Sequence, residues 1–184
     1  MKKHSVKSAI TLTVATSILL GFTVPAFSGN VAKRKTVAAW GEFFTGGWGN
    51  GLTTDYSTLT DGEIFATGHQ WDQGPIWWDE NQDQEQNFLQ VFLGPHCYQV
   101  KKIRIQVDNN DDYLISWQDK RLGYTGPGQV IVVPDRHWGM DRLITMNIDA
   151  VTDAFRIEHY TAGAGDGLYA VSEFQALGRK IKCP

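Results

Sequence analysis

The chain has 184 residues, 17 of them basic and 20 acidic, which gives a formal net charge of −3 at pH 7. This length suits one domain with a core of its own. Proteins that bind duplex nucleic acid usually present a basic face, so the acidic balance argues against nucleic acid as the main partner.

The first 28 residues predict an export signal. Three lysines near the start precede an apolar run, Ala9 to Phe22, that is short for a membrane span. Small residues permit cleavage after Ala26 or Ser28. Cleavage would remove three of the 17 basic residues and leave no apolar segment long enough to span a membrane. We expect a secreted or periplasmic protein, with a retained membrane anchor as the alternative.

The rest of the chain is predicted to have three parts. Residues 29–39, which include the basic run Lys33-Arg34-Lys35, are expected to form a flexible, solvated N-terminus. Residues 40–178 are expected to form the folded domain, and residues 179–184 a C-terminal tail.

Between residues 40 and 178 the hydrophobic period is close to two, which predicts strands. The predicted strands are Phe88–Leu93, Val100–Val107, Tyr113–Gln118, Gln129–Val133, Leu143–Asp149, Phe155–Tyr160 and Tyr169–Leu177. Clusters of Gly, Asn, Asp and Pro separate them and predict turns. Short strands at this spacing predict an all-β protein with an antiparallel β-sandwich fold and no second domain.

Two cysteines, Cys97 and Cys183, follow the predicted signal. An even count in an exported chain favours a disulfide, which would join the C-terminal tail to the start of the strand near Tyr98. Two free thiols, or a link between two molecules, are the alternatives.

One carboxylate, Glu173, falls within the nearly apolar last strand. Strict alternation places Leu168, Ala170, Phe174 and Ala176 on one face, and Tyr169, Val171, Glu173 and Leu177 on the other. Holding an unpaired carboxylate away from water is costly, so Glu173 requires a partner. A cation, Arg142, Arg156 or a backbone donor would serve.

The chain shows no catalytic motif: Gly-x-Ser-x-Gly, His-Glu-x-x-His and a phosphate-binding loop are all missing from the sequence. Asp108, Asn110 and Asp112 imitate the start of a helix-loop-helix calcium loop, but Tyr113 stands where that loop needs glycine. We interpret the run as a bend whose side chains hydrogen-bond to backbone. The protein is predicted not to be an enzyme, and a small glycoside hydrolase with unrecognised carboxylates is the alternative.

Several runs together resemble the discoidin, or coagulation-factor type C, superfamily. They are Leu59-Thr60-Asp61-Gly62-Glu63, followed by Trp71 and Trp77-Trp78, then Asp108-Asn109-Asn110-Asp111-Asp112-Tyr113, and finally Ser172-Glu173-Phe174-Gln175-Ala176-Leu177-Gly178. The resemblance covers Trp40 to Gly178 and is similar to exported bacterial members. It implies a jelly-roll β-sandwich of the galactose-binding-like kind, a fold that serves many carbohydrate-binding modules.

The resemblance also implies a structural calcium ion. Many carbohydrate-binding members hold Ca²⁺ between the Asp-Gly turn and the glutamate of the last strand, which here implies Asp61 and Glu173 as ligands. Thr67, one residue later than in the usual pattern, or nearby backbone carbonyls would complete the oxygen cage.

Members of this superfamily generally hold ligands in loops at one end of the sandwich. The resemblance points to Arg136-His137-Trp138, since an indole suits the C–H face of a sugar while Arg and His suit its hydroxyls. Trp77 and Trp78 are further candidates. The expected function is binding of a carbohydrate or cell-surface glycan without turnover. A surface adhesion or structural protein that binds a protein or a lipid is the alternative, and the sequence predicts no oligomeric state.

Overall fold

The computed structural model describes residues 29–47, 51–53, 55–81, 87–122, 127–160 and 165–184. The predicted signal, residues 1–28, lies outside them. Within the described residues there are nine strands and one short 3₁₀ helix, Ser57–Thr60, and no helix there is long and apolar enough to cross a membrane. The strands are β1 Val37–Trp40, β2 Ile76–Asp79, β3 Phe88–Phe92, β4 Cys97–Val107, β5 Tyr113–Gln118, β6 Pro127–Val132, β7 Ile144–Thr152, β8 Ala154–His159 and β9 Leu168–Ile181.

These strands form two antiparallel sheets, which confirms the predicted all-β sandwich. One sheet has five strands in the order β1-β3-β8-β5-β6, and the other has four in the order β2-β9-β4-β7. The core lies between the sheets and is built from alternate residues of the central strands, among them Leu89, Val91, Ile103, Ile105, Ile115, Phe155 and Ile157, all fully buried. Each such side chain contributes roughly 1.5 to 3 kcal/mol by leaving water.

Strict alternation is wrong for β9 because the strand contains a β-bulge. Gln106 of β4 pairs with Glu173, but the next residue, Val107, pairs with Val171, so that Ser172 is an extra residue. The side chains of Tyr169 and Val171 therefore face the core before the bulge, and those of Phe174 and Ala176 face it afterwards. Glu173 consequently lies on the outer face of the four-stranded sheet.

The prediction of a flexible N-terminus at residues 29–39 is wrong. Ala32 is fully buried, the Val31 amide donates to the Ala176 carbonyl at 2.8 Å, and Asn30 Oδ1 accepts from the Ala176 amide at 3.1 Å. β1 also begins at Val37, three residues before the predicted domain boundary. Apolar burial and backbone pairing thus order this segment despite its charged run, and residues 31–34 form a turn.

The C-terminal segment also belongs to the sandwich. β9 continues to Ile181, beyond the predicted boundary at residue 178. Cys183 forms a disulfide with Cys97, the first residue of β4, with the two Cα atoms 5.0 Å apart, which confirms the predicted bridge. Closing a loop of 86 residues stabilises the fold by about 4 to 5 kcal/mol in the chain-entropy model.

Candidate ligand-binding site

Three connections between strands meet at the end of the sandwich opposite the disulfide. They are the β4–β5 bend (residues 108–112), the β6–β7 loop (133–143) and the described part of the β8–β9 loop (residues 160 and 165–167). The Asp141 amide donates to the Val107 carbonyl at 2.8 Å, and the Gly167 amide donates to Asp111 Oδ1 at 3.2 Å. The three connections therefore form one continuous surface.

A cleft of about 140 Å³ opens in this surface. We call it the loop cleft, and its walls are Trp71, Asn110, His137, Trp138, Gly139 and Asp166. Trp138 is the most exposed large apolar side chain among the described residues, at 67%. Trp71 is half-buried and meets Trp77 edge-on, with ring centroids 5.3 Å apart. The cleft thus combines two indoles with an amide, an imidazole and a carboxylate.

Gly139 fixes the backbone beside Trp138. Its φ is +78°, and a Cβ atom there would lie 2.6 Å from the His69 carbonyl oxygen. The backbone of Met140 pairs with residues 68 and 69. The Gly68 amide donates to the Met140 carbonyl, and the Met140 amide donates to the His69 carbonyl, both at 2.8 Å. Only glycine allows this close approach without strain.

The three residues of the run Arg136-His137-Trp138 occupy different positions relative to the loop cleft. His137 and Trp138 line the loop cleft, whereas Arg136 does not, and the role of His137 and Trp138 in ligand binding stays a prediction. Its guanidinium forms an ion pair with Asp112 at 2.6 Å and donates to the Asn110 carbonyl. Arg136 therefore joins the β6–β7 loop to the β4–β5 bend.

The prediction of Trp77 and Trp78 as ligand-binding residues is wrong because both are buried. Trp77 is 2% exposed, stacks on Phe44 and donates from Nε1 to the Gly46 carbonyl at 2.7 Å. Trp78 is fully buried in the main core, where it stacks on Tyr169 at 5.3 Å. Neither indole face is available to a ligand.

Sequence reasoning missed Trp71, Asn110 and Asp166 as cleft residues. All three lie in turn-rich segments, where composition indicates a bend but not the direction of a side chain. Trp71 carried a signal, as an aromatic residue in the long segment before β2. Asn110 and Asp166 carried none that distinguishes them from ordinary turn residues.

Behind the loop cleft lies a cluster of buried carboxyl groups. Asp108 Oδ1 accepts from the Ala170 amide at 3.2 Å, so the bend is bonded to the start of β9. Burial raises the pKa of Asp111 to about 7, and it raises the pKa of Asp108 well above its usual range, with the Asp111 charge adding to the effect. One oxygen of each carboxyl, Oδ2, has no hydrogen-bond partner among the described residues.

A second site with a buried carboxylate surrounds Glu173, which is fully buried. Its Oε2 accepts from the Gly62 amide at 3.1 Å, whereas its Oε1 has no partner in the described part of the chain. Burial raises the pKa of Glu173 to about 7, and the Asp61 charge raises it further, against the opposing Gly62 hydrogen bond. The two candidate arginines are engaged elsewhere, Arg142 with Asp135 and Arg156 with Glu158.

These residues fit a hard cation in part. A cavity of about 70 Å³ is walled by Asp61, Glu63 and Ser172 and has room for one ion. Glu173, the chain neighbour of Ser172, does not line it. Thr67 is exposed, and no described contact joins it to Asp61 or Glu173. No group of three or more His, Cys, Asp or Glu among the described residues is arranged to hold a metal, so backbone oxygens would have to complete the shell.

No protein-family model and no curated protein is significantly similar to the chain. Solved structures are similar in fold. A fucose-binding module from Streptococcus pneumoniae superimposes with a TM-score of 0.55 at 12% identity, over 82% of this chain and 95% of that one. A family 89 glycoside hydrolase from Clostridium perfringens, in complex with PUGNAc, does so with a TM-score of 0.53 at 17% identity, over 84% of this chain but only 15% of that one.

These likenesses define the class of fold. The protein is a jelly-roll β-sandwich of the kind found in carbohydrate-binding modules. At 12 to 17% identity the likeness concerns the fold, and the function has to be argued from the site.

Proposed function

We propose that the protein is an exported, non-catalytic carbohydrate-binding module that holds a sugar in the loop cleft. The observation that carries the proposal is the exposed indole of Trp138 in a cleft with Trp71 and three polar side chains. A solved structure of the same fold is a fucose-binding module, which supports this ligand class.

The chemistry of the cleft suits a neutral sugar. An indole face covers the apolar C–H patch of a pyranose ring, and Asn110, His137 and Asp166 offer donors and acceptors for its hydroxyls. The volume of about 140 Å³ is below the roughly 300 to 1,000 Å³ of sites for drug-sized ligands. The cleft therefore suits a single sugar unit, such as the terminus of a glycan.

The carboxyl groups support binding without turnover. A glycosidase needs two carboxyl groups on opposite sides of the scissile bond, about 5 to 9.5 Å apart. Asp166 is the one carboxylate among the described residues that line the loop cleft, and Asp108 and Asp111 are buried behind it. The similar hydrolase is matched over 15% of its length, so this chain corresponds to a small part of it.

Export is supported by the predicted signal and by the disulfide, which fits an extracellular protein because such bonds persist in oxidising compartments. A structural Ca²⁺ is a second part of the proposal. Asp61 and Glu173 would hold it, and Thr67 remains a predicted third ligand. The ion would neutralise the buried Glu173 carboxylate and fasten the Asp61-Gly62 turn to β9.

A glycan array followed by calorimetry tests the proposal. The purified protein should bind a fucose-, galactose- or N-acetylglucosamine-terminated glycan, and Trp138→Ala should weaken that binding by about tenfold or more. Leu52→Ala is the control, since Leu52 is another exposed apolar side chain, 59% accessible, that does not line the cleft. A blank array with capture of a protein or lipid would favour an adhesion protein, and release of sugar product would favour a hydrolase.

A further inference from the structure

A second cleft, of about 230 Å³, lies on the outer face of the five-stranded sheet. We call it the sheet-face groove, and its walls include Gln90, Ser116, Gln118, Asp153, Ala154 and Arg156. None of these residues lines the loop cleft. The sheet-face groove therefore has no role in the function proposed above.

The strand register explains why polar groups gather there. Gln90 of β3 pairs with Arg156 of β8, which in turn pairs with Ser116 of β5. Their chain neighbours Leu89, Val91, Ile115 and Ile157 face the core, so these three side chains point outward. Neighbouring strands are about 4.8 Å apart, and the polar row therefore extends roughly 10 Å across the sheet.

Arg156 is held in one orientation. Its guanidinium lies 3.7 Å from the centroid of the Phe88 ring, and Phe88 stacks on Trp40 with ring centroids 4.5 Å apart. Arg156 also forms an ion pair of 2.6 Å with Glu158. A guanidinium fixed in this way loses little entropy when it binds a ligand.

The charges in the groove are already compensated within the protein. Arg156 pairs with Glu158, and Asp153 pairs with Lys120 at 3.0 Å. No hydrogen bond in the described part of the chain engages the side chains of Gln90 or Ser116. The groove therefore offers an amide, a hydroxyl and a guanidinium edge without net charge, which complements an uncharged polyhydroxylated ligand better than an anion or an apolar peptide.

We propose that the sheet-face groove is a second saccharide-binding site. Gln90 and Ser116 exchange hydrogen bonds with sugar hydroxyls, and the fixed Arg156 side chain forms the wall between them. The proposal shares the ligand class of the loop cleft but none of its residues. Two sites on one domain would let the protein hold a polysaccharide more tightly than either site alone.

Heteronuclear NMR titration of the full chain separates the two sites. The probes are galactose, fucose and the β-1,4-linked trimer of N-acetylglucosamine, added to the wild type and to Trp138→Ala. We expect amide shifts along residues 88–92, 114–118 and 154–158 that persist in Trp138→Ala. The double variant Gln90→Ala/Ser116→Ala should weaken this binding about tenfold.

Gln129→Ala is the matched control. Gln129 pairs with Ser116 on the same sheet, one strand further on, but does not line the groove, so its loss should change affinity less than about twofold. Unchanged binding in the double variant, with a native-like spectrum, would overturn the second site. Shifts confined to residues 110, 137–139 and 166 would overturn it as well while supporting the loop cleft. No shifts at either place would overturn both proposals.

Discussion

Arg136 and Asp112 form an ion pair of 2.6 Å that joins the two loops forming the walls of the loop cleft. Trp138 lies two residues after Arg136, and Asn110 two residues before Asp112, so the pair connects the aromatic wall to the amide wall. Arg136 has a φ of +64°, a conformation uncommon for a side chain larger than glycine. Its position is therefore set by its contacts rather than by local preference.

Arg136→Gln should weaken sugar binding without unfolding the protein. The pair is partly exposed, so its loss costs about 1 kcal/mol of stability or less. Affinity should fall several-fold because Trp138 loses its fixed distance from Asn110. Calorimetry and thermal melts measure both effects. Arg142→Gln is the control, since it removes an exposed pair with Asp135 in the same loop, and an equal loss of affinity there would contradict the positioning role.

Gly139→Ala should lower both stability and affinity. A side chain at φ +78° costs about 1 to 2 kcal/mol, and the added Cβ would also meet the His69 carbonyl. The backbone must shift, and Trp138 shifts with it. Gly51→Ala provides the comparison, because a Cβ atom there has no atom within 4 Å. Equal melting temperatures for the two variants would show that the close approach is not needed.

Stability should decrease as the pH rises, in part because of Asp111. The folded protein holds a proton on this carboxyl up to a pKa of about 7, whereas the unfolded chain releases it near the ordinary value of 3.8. Its contribution is thus complete below about pH 4 and is lost as the pH rises through about 7. We expect the Tm to fall by several degrees between about pH 5 and pH 8.

Asp111→Asn should flatten this pH dependence, since the amide oxygen still accepts from Gly167 but carries no titratable proton. Part of the slope should remain, because the pKa values of Asp108 and Glu173 are raised too. Asp149→Asn is the control, as the pKa of that exposed carboxyl is lowered by its hydrogen bond with Lys101. A slope unchanged in Asp111→Asn would rule out this assignment.

Calcium should raise the Tm only when Glu173 is present. An ion at one hundred times its dissociation constant adds about 2.7 kcal/mol, which a chelator would remove. Glu173→Gln should abolish the response, and Glu42→Gln, which alters an exposed glutamate, should keep it. Identical responses in wild type and Glu173→Gln would refute the proposed cation site.

The sequence predicted those features that depend on period and count. Alternation identified most strands, and an even number of cysteines pointed to the Cys97–Cys183 bridge. The resemblance to a known superfamily pointed to His137 and Trp138, which lie at the loop cleft and whose role in binding stays a prediction. The hydrophobic period and the number of cysteines can both be read from a single sequence.

The features that the sequence did not predict depend on distant contacts. The sequence does not distinguish the buried Trp78 from the exposed Trp138, because the burial of each ring depends on the residues that pack against it in the fold. The ordered N-terminal segment depends on pairing with Ala176, about 145 residues away along the chain. Trp71 joins the cleft only because Gly139 brings the β6–β7 loop against the segment before β2.

Because of the bulge at Ser172, the number of residues in β9 determines which of its side chains face the core. Deleting one residue there would reverse the phase of the first half of the strand, so that Tyr169 and Val171 would leave the core. The Ala170 side chain, which now packs with Trp77 and Met140, would then turn into the main core. Deletion of one residue outside the loop cleft would thereby disrupt the start of β9, to which Asp108 of the β4–β5 bend is hydrogen-bonded.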